Sequence, residues 1–111
     1  MSLEHHLEGQ CLVARYTGER IDASNAGQFR QSMNSLIGQH EQIVIDLDGV
    51  RFIDSAGVGS LIGCLRAISD RQGRLCLAGL KGPVQALFDL MRLHRVFEIH
   101  TDVSSARKAM Q

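Results

Sequence analysis

The stretch Phe52 to Leu61, FIDSAGVGSL, limits the possible folds more than any other in this chain. A pair suited to a strand, Phe52-Ile53, runs into Asp54-Ser55 and then, through Gly57 and Gly59, into a segment of helical spacing. Val58, Leu61, Ile62, Leu65 and Ile68 form one apolar stripe of that helix, and Gly59, Gly63, Arg66 and Asp70 fall on the opposite one. Ser55 stands where an N-cap hydroxyl belongs. A glycine inside a helix costs roughly 1 kcal/mol relative to alanine. Gly57, Gly59 and Gly63 therefore require either a close approach of backbone or a smooth helix surface.

The neighbouring segments supply what such a strand and helix would pack against. Cys11 to Tyr16, Ile43 to Leu47 and Arg74 to Leu80 read as strands, Val96 to His100 as a weaker one, and Leu3 to Glu8 as a short edge strand. Ala26, Phe29, Met33, Leu36 and Ile37 recur at helical spacing between Asp22 and Gly38, with Asp22 or Ser24 as N-cap. Pro83 opens a third helix bearing Val84, Leu87, Phe88 and Met91, and a short last helix follows Asp102. Alternating strands and helices favour a sheet with parallel pairs joined by crossover helices.

At 111 residues the chain fits one domain, residues 1–111, whose first nine residues form an edge strand or a flexible terminus. No uncharged segment approaches the roughly 20 apolar residues of a bilayer span, and the N-terminus lacks the pattern of a secretory signal, so cytoplasmic residence is expected. The 12 basic and 12 acidic side chains balance, which removes the footprint of direct nucleic-acid binding. Residues 1–54 carry 4 basic and 8 acidic groups, and residues 55–111 carry 8 and 4. Cys11, Cys64 and Cys76 lack a Cys-x-x-Cys spacing and read as small buried residues.

Motifs of catalysis fail in turn. Asp46-Leu47-Asp48-Gly49-Val50 at a strand end looks like the opening of a haloacid dehalogenase-like phosphatase, but no adjacent acidic pair follows residue 54, and Asp48-Gly49 reads better as a turn. Gly57-Val58-Gly59 with Gly63 is one residue too long for a dinucleotide fingerprint. Neither Ser55 nor Ser60 sits in a G-x-S-x-G elbow. The histidines show no metal-ligand spacing beyond His5-His6. No catalytic residue, metal or cofactor is expected.

The run from Ile43 to Asp102, with its hydrophobic strand, Asp-Ser-x-Gly turn at 54 to 57 and Pro83 helix, resembles the STAS domain, most closely bacterial anti-sigma factor antagonists. Glu19-Arg20-Ile21-Asp22-Ala23 resembles the family's Leu-Asp element before the first helix. The resemblance implies an α/β fold: a small mixed sheet of four to five strands with about four helices mainly on one face. It implies a phosphorylation switch, in which an anti-sigma factor with serine kinase activity modifies Ser55, a serine phosphatase reverses the step, and only the unmodified form binds the anti-sigma factor. Asp22, Asp54, Ala56, Gly57, Val58, Gly59 and Ser60 fall on the implied partner surface. Ala56 departs from the family, which commonly has a second hydroxyl residue there. An accessory subunit of a membrane transporter, such as a lipid-transport ABC system, is the other role such a domain fills.

Overall fold

A computed structural model describes residues 2–111. The main sheet is built on three short, almost wholly buried strands: β2 (Cys11–Tyr16), β4 (Gln42–Asp46) and β6 (Arg74–Ala78). Runs buried on both faces are what parallel strands covered by crossover helices require. β1 (Leu3–Glu8) pairs antiparallel with β2, and β7 (Glu98–His100) pairs parallel with β6, giving the order β1-β2-β4-β6-β7. A separate parallel ribbon joins the two-residue strands β3 (Arg20–Ile21) and β5 (Phe52–Ile53).

Side-chain alternation splits the interior in two. Leu12, Ala14, Ile43, Ile45, Leu75 and Leu77 face the main core, which α1 (Ala26–Ile37), α2 (Ser55–Asp70) and α3 (Gly82–Leu90) cover with Phe29, Met33, Leu61, Ile68, Val84 and Phe88. Cys11, Val44, Cys76 and Ala78 face the other way, under Ala106 and Met110 at α4 (Val103–Ala109). Each aliphatic side chain so enclosed contributes about 1.5–3 kcal/mol. The resulting architecture is the mixed five-stranded sheet with four helices, three of them serving the main core.

Boundaries differ from expectation where a local interaction decides them. The cap of α1 is Asn25, not Asp22 or Ser24, because the Asp22 carboxylate instead accepts hydrogen bonds from the Ser24 amide and hydroxyl. The segment expected as a strand from Val96 begins only at Glu98, since Leu93–Arg95 form a short 3-10 turn that buries Leu93 and Phe97. At α2 the capping residue is Asp54, and Ser55 is the first helical residue.

Candidate functional site

The β3–β5 ribbon brings two distant segments together. Pairing of Arg20 with Phe52 and Ile21 with Ile53 sets the loop carrying Asp22 beside the start of α2. The Arg20 guanidinium lies over the Phe52 ring, 4.2 Å from its centroid, and its Nε donates to the Asp22 carboxylate at 3.1 Å. Asn25 ties the loop down: its side-chain oxygen accepts from the Asp22 amide, and its amide nitrogen donates to the Arg20 carbonyl. Tyr16 donates to the same carbonyl at 2.8 Å. The hydrogen bond from Ser24, foremost, and that from Arg20 hold the Asp22 carboxyl below the usual aspartate range.

Asp54 is the joint between loop and helix. One carboxylate oxygen accepts from the Gly57 amide at 2.9 Å, an N-cap worth about 1 kcal/mol, and the other accepts from the Ala23 amide at 3.1 Å. Ser55 follows it, exposed, at the first helical position. By helix geometry the first-turn amides of Ser55 and Ala56 point outward along the axis, where the helix dipole favours negative charge.

The expected contact residues divide by the helical period. Ser55 and Gly59 are exposed and Ala56 is half-buried, and Asp22 and Asp54 are half-buried beside them. Gly57, Val58 and Ser60 turn inward, so their side of the helix is not available to a partner. The Ser60 hydroxyl is spent on the Gly57 carbonyl at 2.7 Å. The glycines also separate. A Cβ at Gly57 would lie 2.3 Å from the Ile21 carbonyl oxygen, so this residue exists for packing. Gly63, expected on an open surface, lies under the Arg30 guanidinium of α1; only Gly59 of the three has free space above it. The outward stripe of α2 is therefore Ser55, Gly59, half-buried Ile62 and Arg66. Arg20 and Phe52 at its foot were not foreseen in these roles.

Two other clusters have structural employment. Asp46 accepts from the Asp48 amide in a turn, and Asp48 pairs with Lys81, which holds its carboxyl below the usual range. Cys76, Glu98 and His100 bring their ligand-type atoms within 4.8 Å of one another. Glu98, however, receives both Nε and Nη2 of Arg74, and burial pushes the Cys76 thiol up to about 12. The cluster is thus an ion-pair network. The Arg74 hydrogen bonds, ahead of the weaker opposing effect of burial, lower Glu98 from 4.5 to about 2. A depressed carboxylate contributes stability present above the unfolded value and lost as pH falls toward the folded one. Glu98→Gln is expected to lose about 1 kcal/mol at neutral pH, a figure discounted for solvent screening. The difference should shrink below pH 4.5. Thermal unfolding of both proteins across that range measures it, and a constant difference would contradict the assignment.

A mixed sheet whose crossover helix begins with an aspartate cap and an exposed serine defines a class of small α/β domains. The STAS domain model matches residues 3–106, and the chain belongs to that family. It is 29% identical over 108 residues to the anti-sigma F factor antagonist of Paenibacillus polymyxa, covering 96% of this chain and 90% of that one. Its fold matches an anti-sigma factor antagonist from Mycobacterium paratuberculosis with a TM-score of 0.85 at 21% identity, covering 96% and 91% of the two chains. It also matches the Bacillus cell fate determinant SpoIIAA in the phosphorylated form, with a TM-score of 0.71 at 21% identity and coverage of 98% and 99%.

Proposed function

We propose that this chain is an anti-sigma factor antagonist switched at Ser55. Unmodified, it binds an anti-sigma factor with serine kinase activity and thereby frees a sigma factor; phosphorylated, it lets go, and a serine phosphatase restores it. The observation that carries the reading is an exposed hydroxyl at the first position of α2, immediately after the aspartate that fastens this helix to the Asp22 loop. The names of its relatives support the reading, as does the existence of SpoIIAA in a phosphorylated form.

The chain acts as substrate and ligand rather than catalyst. The γ-phosphoryl group of ATP passes to Ser55 Oγ, the hydroxyl proton goes to a base of the kinase, and ADP leaves. Asp22, Asp54, Ala56 and Gly59 frame the acceptor and meet the partner. Gly59, with nothing within 4 Å of its missing Cβ, lets a partner's backbone come close. Such an exchange takes place in the cytoplasm.

Incubation with ATP and a kinase-type anti-sigma factor from the same organism tests the proposal by intact mass. The wild type should gain one phosphate and Ser55→Ala none. Phosphate on Ser55→Ala, or none on the wild type, would overturn the switch and leave the transporter-subunit role as the better reading.

A further inference from the structure

The edge of the main sheet formed by β1 lacks proline, lysine and a bulge, and its two carboxylates, Glu4 and Glu8, are its only charged defence against strand addition. Exposed edges are normally blunted by proline, lysine, a bulge or a covering element. β1 contains no proline or lysine, and its register with β2 runs unbroken from Leu3↔Tyr16 to Glu8↔Cys11. Leu7 is 58% exposed. The Ser2 carbonyl accepts from the Thr17 amide, so the antiparallel alternation directs the main-chain groups of Glu4, His6 and Glu8 toward β2. Those of Leu3, His5 and Leu7 point outward.

We propose that β1 pairs with β1 of a second copy of this chain, antiparallel about a twofold axis through His5, joining two five-stranded sheets into one. The sequence Leu3-Glu4-His5-His6-Leu7 is complementary to itself in this register. Leu3 meets Leu7 of the second copy, Glu4 meets His6, and His5 meets His5. Every outward main-chain group in the strand is then paired with another. A shift of two residues either way loses this match, because it sets Glu4 against Glu4 or against Glu8. Hydrogen-bonded and apolar pairs directly across strands stabilise a sheet, and like charges destabilise it; the His6 ring, which bonds Glu8 of its own strand at 2.8 Å, would stand between that carboxylate and Glu4 of the second copy. The groove between β1 and α1, lined by Leu3, His5, Gln31, Ser32, Ser35 and Leu36, runs along the same edge. Leu7 of the second copy, facing Leu3, sits at its mouth. A twofold interface uses the same patch on both copies, which is what a palindromic strand provides. An unrelated partner strand would need no such symmetry.

Sedimentation equilibrium of the full chain tests the seam. The wild type should show a concentration-dependent dimer. His5→Pro removes only an outward N–H, which an edge strand tolerates, and should weaken dimerisation by about tenfold or more with the circular dichroism of the fold retained. His6→Glu should also weaken it, by setting Glu4 against a carboxylate, and adding Glu4→His should restore it. A chain that stays monomeric at every concentration overturns the proposal, as does a dimer indifferent to His5→Pro. If His5→Pro fails to fold, the charge exchange decides: rescue by the double variant supports the register, and no rescue overturns it.

Discussion

Gly57→Ala is expected to destabilise the fold by about 3 kcal/mol, the upper range for an overpacked site. That corresponds to a fall in melting temperature of about 13 °C for a domain of this size. The added carbon would meet the Ile21 carbonyl oxygen at 2.3 Å and Ile53 Cγ2 at 2.8 Å. Neither neighbour can step aside cheaply: Ile21 and Ile53 are paired in the β3–β5 ribbon, and both are buried. The first turn of α2 must therefore lift off the ribbon. Gly59→Ala is the matched control, since its Cβ enters open space and should stabilise the helix by up to about 1 kcal/mol. If a partner's backbone passes over Gly59, the same substitution weakens binding while it raises stability. Thermal and denaturant unfolding measure both variants, and equal stability of Gly57→Ala and wild type would refute the packing assignment.

Phosphorylation of Ser55 is expected to weaken binding of the proposed anti-sigma partner by at least about a hundredfold, close to 2.7 kcal/mol. The group adds about −1.5 to −2 charge at neutral pH. It would arrive beside Asp54 and near Asp22, both half-buried. The cations at hand are engaged: Arg20 bonds Asp22 and covers Phe52, and Arg51 pairs with Glu19. Enclosing an uncompensated charge in an interface costs several kcal/mol, whereas outward helix amides make the free phosphorylated domain stable. Titration calorimetry with the unmodified and phosphorylated forms measures the ratio, and the two melting temperatures should agree within a few degrees. Similar affinities would remove the switch even if Ser55 proves to be the acceptor.

How much of this could be read in the residues depended on the range of the interaction concerned. β2, β4 and β6 were legible as short aliphatic runs, and α1, α2 and α3 by their apolar helical spacing, because both signals are set within each segment. β3 and β5 have two residues each, too few for a period, and exist because they pair with each other. Asp54 and Ser55 are both good capping residues, so local preference could not choose between them. A tertiary bond to Ala23 chose Asp54. Likewise the spacing placed Gly63 away from the apolar stripe of its own helix, but could not show that Arg30 of α1 lies across it. That Asp22 would lie beside Asp54 and Ser55 was implied by the resemblance alone, and the contacts of Arg20, Phe52 and Asn25 needed the ribbon that gathers them.

Because one carboxylate divides its two oxygens between the Ala23 and Gly57 amides, whatever tugs on Asp54 is felt at both ends of that bridge. The loop and the helix mouth should thus loosen or tighten in concert, as two leaves swing on a shared pin. The Ala23 amide proton then becomes a remote witness to events at the neighbouring hydroxyl. Its chemical shift and its exchange with deuterium offer a readout of the domain's state without any label placed on the docking surface itself.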